Sequence, residues 1–237
     1  MARFIVIGDV HGCSAELDGL LDRIAPTTDD RVVFVGDLVA KGPNTEIVLR
    51  TVRELGAGVA LGNHEKKLLD AREARRVGRP SPTKLDPTHE RLLETLTDAD
   101  WSQLESLPLW LDLAAELRVV HAGIVPGVPM NEQDPKNLIH MRSITETGEP
   151  SSKWGPPWGA RYVGPPHIVF GHNARKDPQL HPFATGLDTG CVYGGSLTAL
   201  VVKQGSVPPP PNARGDVLVS EPARRAYSDY GGPLVNR

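Results

Sequence analysis

The chain has 237 residues, 39% hydrophobic and 23% charged, enough for one large domain with a sizeable core. Its net charge of −3 offers no electrostatic footprint for stable DNA binding, and no apolar run reaches membrane-spanning length. Two cysteines, Cys13 and Cys191, make neither a disulfide framework nor a zinc-finger spacing; with no signal-peptide pattern at the start, a cytoplasmic setting is expected.

The first stretch, Phe4-Ile5-Val6-Ile7, reads as a strand buried on both faces and runs into Gly8-Asp9-Val10-His11-Gly12. Leu17, Leu20, Leu21 and Ile24 follow at helical spacing, with Ser14 as the expected N-cap. Val32 to Val35 is a second buried strand, ending in Gly36-Asp37 and the loop G-D-L-V-A-K-G-P. Asn44 is placed to cap the next helix, with Ile47, Val48, Thr51, Val52 and Leu55 as its apolar face. Val59 to Leu61 is a third strand, ending in Gly62-Asn63-His64-Glu65. Polar residues thus gather at the carboxyl end of each strand, where an α/β sheet places its ligand.

From about 66 to 108 the chain reads as a charged, helical cap inserted over the strand ends, basic at first through Lys66, Lys67, Arg72, Arg75, Arg76 and Arg79. Most of these side chains are expected on a solvated face, as is His89. Two paired strands follow, Trp110 to Leu113 and Leu117 to Val120, the second ending in His121-Ala122-Gly123. A short helical pattern surrounds Leu138 to Arg142. Residues 151–166 are loop-like, with Trp154, Trp158 and Tyr162 as candidates to stack on a base or to pack. His167 to Phe170 is a strand ending in Gly171-His172-Asn173, and a last strand runs from Leu197 to Val202. The expected domain spans 1–205, and residues 206–237 form a Pro-rich tail expected to be extended or disordered. His140, His167 and His181 are read as structural.

The strand ends supply Asp9, His11, Asp37, Asn63, His64, His121 and His172. Carboxylate, imidazole and amide oxygen suit divalent ions such as Mn, Co, Mg, Fe, Zn or Ni, with Mn favoured. There are too many for one ion and a sensible number for two, and two ions about 3.5–4 Å apart are a standard device for cleaving phosphate bonds. Such a pair shares a carboxylate and activates a bridging hydroxide as nucleophile.

G-D-V-H-G, G-D-L-V-A-K-G, G-N-H-E, H-A-G and G-H, in this order, resemble the phosphoprotein phosphatase (PPP) branch of the calcineurin-like metallophosphoesterases, over about Phe4 to Val202. The resemblance implies a four-layer α/β fold, two packed β-sheets flanked by helices. It implies that Asp9 and His11 hold one ion, that Asp37 bridges, and that Asn63, His121 and His172 hold the second. It leaves His64 off the metals, as proton donor to the leaving group or stabiliser of its charge. In protein Ser/Thr phosphatases of this branch the second motif reads G-D-x-V-D-R-G; here the Asp and Arg are replaced by Ala40 and Lys41. The Asp normally orients the catalytic His, so another group must hold His64. The Lys form of the motif, with V-H-A-G-I-V-P-G-V-P and H-M-R-S, is most similar to ApaH-like phosphatases and diadenosine tetraphosphate hydrolases. That implies a dinucleoside polyphosphate substrate, cleaved symmetrically to two ADP, with Lys41 and Arg142 on its phosphates and Arg142 on the scissile one. Asp188 is read as supporting the site. The alternatives are a protein Ser/Thr or Tyr phosphatase and a hydrolase of nucleotide caps on RNA.

Overall fold

The structure, a computed structural model, describes residues 1–232 and 234–236. Its first half runs β1 (Arg3–Ile7), α1 (Ser14–Ile24), β2 (Arg31–Phe34), α2 (Thr45–Glu54) and β3 (Gly58–Val59). A helical insertion follows, α3 (Asn63–Arg76), α4 (Pro87–Thr95) and α5 (Asp98–Glu105). The second half holds β4 (Trp110–Ala114), β5 (Leu117–Val120), α6 (Pro135–His140), β6 (Ser143–Ile144), β7 (Pro150–Ser151), β8 (His167–Phe170), β9 (Gln179–His181), β10 (Ala184–Gly186), β11 (Ser196–Lys203) and β12 (Leu218–Pro222). Among the described residues no helix is long and apolar enough to cross a membrane.

Two five-stranded mixed sheets form, in the orders β12-β11-β1-β2-β3 and β4-β5-β8-β10-β9, with β6-β7 as a separate hairpin. Alternation along the strands explains the layering. Phe4 and Val6 of β1, with Val33 and Val35 at β2, meet Leu117, Val119 and Val169 of the second sheet. Ile5, Ile7, Val32 and Phe34 point the opposite way, onto α1 and α2. The outer face of the second sheet packs Ile168 and Phe170 on Trp158 and on Leu138 and Ile139 of α6. The result is helices, sheet, sheet and an outer layer, the four layers expected. Side chains on both faces of β1 and β2 are buried, which is why these strands read as continuous apolar runs.

The helical insertion is built into the first layer. Leu68, Leu92, Leu96, Trp101 and Leu104 share one core with α1 and α2. Asp86 caps α4, with Pro87 in its first turn, and Thr97 and Asp100 form a capping box on α5. Lys66, Arg72, Arg75 and Arg76 pair with Asp70, Glu105, Glu94 and Glu73 on the exposed side, as a solvated face requires.

Three local expectations are corrected. Helix α2 buries Thr45, Val48, Leu49 and Val52, whereas Ile47 is 38% exposed; starting the helix at Thr45 rotates the inward stripe by one position. Neither Ser14 nor Asn44 caps its helix through its side chain; instead the Asn44 amide donates to Ser14 Oγ at 3.1 Å. The tail is ordered: β12 pairs antiparallel with β11, Leu200 facing Leu218. Beyond it, Tyr227 Oη donates to Glu16 Oε1 at 2.8 Å, and the Tyr193 and Tyr230 rings lie 4.8 Å apart. The four prolines at 208–211 obscured a strand that needs only one partner edge.

Deleting residues 206–237 removes β12 and uncovers one edge of β11. Thermal unfolding of the truncated chain is expected about 4–8 °C below the full chain, equivalent to roughly 2 kcal/mol. An unchanged midpoint would mean that the segment contributes nothing to the fold.

Candidate metal centre

The loops after β1, β2, β3, β5 and β8 converge at one rim. Asp37 is at its centre, 2% exposed. Its Oδ2 lies 3.4 Å from His11 Nε2 and its Oδ1 3.5 Å from His121 Nε2. Oδ1 also accepts the His64 N–H at 3.0 Å, at the N-terminus of α3, where peptide dipoles favour an anion. Burial alone would raise the Asp37 pKa, but His121, His64, His11 and Lys41 hold it well below the carboxylate range. Two triads of donors therefore share Asp37: His11 with His64, and His121 with His172.

Ring orientation is set by backbone carbonyls. His11 Nδ1 donates to Val39 O and His121 Nδ1 to Val35 O, each at 3.0 Å, which turns both Nε2 lone pairs into the site. His172 is held the other way round, with Nε2 3.2 Å from His140 O and Nδ1 facing inward. Asn63 Oδ1 then sits 3.0 Å from His121 Nε2 and 2.8 Å from His172 Nδ1. Three lone pairs meet at one point. A cation resolves this, as does the amide turned with its nitrogen inward; the Asp37 charge close by favours the cation. On the other side the Lys41 ammonium donates to His11 Nε2 at 2.9 Å, placing a positive charge beside Asp37. An all-nitrogen-and-oxygen donor set of this kind fits divalent metal ions.

Asp9 is buried beneath the centre and accepts the His172 N–H on both carboxylate oxygens, at 3.2 and 3.0 Å. Burial, Asp188 and Asp37 raise its pKa well above the usual carboxylate range. A Cβ on Gly171 would fall 1.9 Å from Asp9 Oδ1, so only glycine admits this approach. His11, Asp37, Ala40, Lys41 and His172 all have positive φ, five of the six such non-glycine residues among those described. Backbone strain is concentrated at this rim, as it is at functional sites generally.

A cavity of about 50 Å³ above the centre is lined by His11, Asp37, Asn63, His64 and His172, with Lys41 and Arg142 as its cations. Arg142 Nη1 donates to His172 O and Asn173 Oδ1, each at 3.0 Å, which aims the guanidinium along the site. Asp188, Tyr193 and Tyr230 complete the wall; burial raises the Asp188 pKa to about 6. Of the base-stacking candidates, Trp158 is 1% exposed and donates to Ala122 O, a packing role. Trp154 lies beside the guanidinium groups of Arg142 and Arg175, and Tyr162 donates to Pro166 O. Cys13 and Cys191 are both buried; the hydrogen bond of the Cys191 thiol with Cys13, and burial, raise Cys191 far above its usual value, so Cys191 is no nucleophile.

Two residues here escaped the sequence reading. Glu65 is fully buried and accepts three backbone N–H groups, from Asp37 at 2.9 Å, Leu38 at 2.7 Å and Val39 at 3.1 Å. It clamps the loop that presents Asp37. Its place as the last letter of G-N-H-E was the available signal. His89, expected on a solvated face, is instead fully buried with Nε2 3.1 Å from His64 Nδ1. No periodicity marks it, because its partner lies 25 residues away in another helix.

Glu65→Gln keeps the size but turns an NH₂ toward one of the loop's N–H donors. A loss of about 10–100-fold in Mn²⁺ affinity, read by calorimetry, is expected from loosening this outer support. Unchanged affinity would show that the loop holds Asp37 without the clamp.

Comparison with known proteins finds relatives over most of the chain. Residues 2–192 match the calcineurin-like phosphoesterase family. The chain is 31% identical over 221 residues to a protein of Halalkalibacterium halodurans named bis(5'-nucleosyl)-tetraphosphatase PrpE, asymmetrical, covering 84% of this chain and 89% of that one. A protein of the same name from a Geobacillus strain is 29% identical, covering 82% and 88%. A crystal structure described as a candidate diadenosine tetraphosphatase superposes with a TM-score of 0.77 at 34% identity, covering 93% of each chain. A Saccharomyces cerevisiae protein serine/threonine phosphatase shares the fold, with a TM-score of 0.63 at 15% identity, covering 93% of this chain and 79% of that one. With its two packed sheets and its motifs converging on one rim, the chain belongs to the calcineurin-like phosphoesterases.

Proposed function

We propose that this protein hydrolyses dinucleoside polyphosphates, and that it cuts them asymmetrically. The observation that carries the reading is the pair of cations in the cavity above Asp37. Lys41 and Arg142 are its cations, both beside Asp37 and the histidines. A phosphate chain laid across these two cations leaves its nucleosides beside the centre. Two neighbouring grooves of about 400 and 500 Å³ adjoin the cavity, sharing Tyr227; Lys41, Arg91 and Arg225 line the first, Tyr193 and Tyr230 the second. Cations beside aromatic rings suit phosphate followed by a base. The symmetrical cleavage expected from Lys41 and the H-M-R-S motif gives way to asymmetrical cleavage, because the curated relatives at about 30% identity carry that name.

Asp9, His11, Asp37, Asn63, His121 and His172 are assigned to hold two divalent ions, with Asp37 shared. Such ions would supply Lewis-acid polarisation of the phosphate and an activated water. The chain's own residues then do the following. Arg142 grips non-bridging oxygens of the scissile phosphate with its fork, held in aim by His172 O and Asn173. Lys41 meets the neighbouring phosphate as a point charge. His64 faces the leaving oxygen and gives it a proton, a contribution commonly worth about 100- to 10,000-fold. A nucleotide is already a good leaving group, so anhydride cleavage draws on only part of that.

Incubation of the protein with Mn²⁺ and diadenosine tetraphosphate, with products separated by anion exchange, is expected to give AMP and ATP in equal amounts. Two ADP would restore the symmetrical cut. An intact substrate beside turnover of a phosphopeptide would overturn the substrate class.

A further inference from the structure

His89 is fully buried, yet its ring is polar at both ends. Its Nε2 lies 3.1 Å from His64 Nδ1, and the two rings stack with centroids 5.1 Å apart. Its Nδ1 lies 2.8 Å from Asp86 Oδ2, with the carboxylate beside the ring N–H and not in line with it. Asp86 is itself anchored. As the cap of α4, its Oδ1 accepts the Thr88 N–H at 2.9 Å and the His89 N–H at 3.1 Å. Thr88 Oγ1 accepts the Lys41 N–H at 3.0 Å. The start of α4 is thus tied to the loop that carries Ala40.

An imidazole between a carboxylate and a second imidazole has one favoured proton arrangement. The carboxylate attracts the His89 Nδ1 proton, which leaves His89 Nε2 as a lone pair. That lone pair accepts the Nδ1 proton of His64. We propose that Asp86 and His89 are positioning residues that set the tautomer and orientation of His64, replacing the carboxylate that Ala40 lacks. The arrangement leaves His64 Nε2 as the nitrogen that faces the cavity. In this tautomer His64 Nε2 is a lone pair, so it first takes a proton from a water in the cavity, the O–H bond of that water breaking as the Nε2–H bond forms. It then passes the proton to the leaving oxygen, the Nε2–H bond breaking as the new O–H bond forms, while the Nδ1 proton shared with His89 stays in place and no proton crosses to Asp86. The catalytic value of this arrangement rests on the proposed role of His64 as proton donor; the positioning itself does not.

Two variants separate position from bulk. His89→Phe keeps a ring and removes the acceptor, and His89→Gln restores an acceptor. Long-range ¹H–¹⁵N correlation on histidine-labelled protein reads the tautomer of His64 directly. The expected result is an Nδ1–H tautomer in the wild type and in His89→Gln, shifting toward Nε2–H in His89→Phe at an unchanged melting midpoint. Turnover should follow: kcat about 10–100-fold lower in His89→Phe with KM little changed, largely recovered in His89→Gln. An Nε2–H tautomer in the wild type would overturn the proposal, as would a folded His89→Phe whose His64 tautomer is unaltered. If His89→Phe does not fold, Asp86→Asn takes its place, with a smaller shift in the same direction expected and no shift contradicting it. A tautomer shift combined with full turnover in His64→Asn would remove the proton-donor role and leave the positioning intact.

Discussion

The buried charge of Asp37 is the constraint on which the rest of the site depends. A carboxylate taken out of water costs several kcal/mol unless positive charge and hydrogen bonds compensate it. Here the compensation comes from every side. The N-terminus of α3 donates the His64 N–H to Oδ1 and the Lys41 ammonium lies beside it on His11, while the His11 and His121 nitrogens within 3.5 Å compensate it only through a cation held between them. The loop holding Asp37 at positive φ is gripped by Glu65, in the first turn of the same helix. Removing any one of these leaves a buried anion less well met, so the loop, the helix start and the histidines act as a unit.

The two-sheet architecture is what brings these groups together. β1, β2 and β3 run parallel, so their carboxyl ends open on one rim. β5 and β8 are parallel in the facing sheet and deliver His121 and His172 to the same place. The inter-sheet core of Phe4, Val6, Val33, Val119 and Val169 fixes the distance between the two rims.

Much of this was legible in the sequence. Phe4 to Ile7 and Val32 to Val35 read correctly as strands buried on both faces, since four consecutive apolar residues ending in glycine leave little else. The helices after Asn63 were expected as a cap over the strand ends; instead Leu68, Leu92, Trp101 and Leu104 join the core of α1 and α2, a burial that the charge and prolines of the stretch conceal. Other features were not legible, for reasons of distance along the chain. Glu65 acts on backbone N–H groups 26 to 28 residues earlier, and backbone groups leave no trace in a sequence. His89 looked like a surface residue in a charged stretch because burial of that helix depends on Trp101 and Leu104 packing with it. The tail concealed β12 behind four prolines, although Glu16, buried in α1, had been left in need of a donor that Tyr227 provides. Ala40 and Lys41 led to the substrate class proposed above, while nothing in the motifs marks where the phosphate chain is cut.

The central claim is that Asp37 is shared by two divalent ions held by His11 and Asp9 on one side and by Asn63, His121 and His172 on the other. Calorimetric titration of the wild type and Asp37→Asn with Mn²⁺ tests it most directly. The account predicts two ions per chain in the wild type, and in Asp37→Asn the loss of at least one ion together with turnover. Two ions bound with full turnover in Asp37→Asn would contradict it.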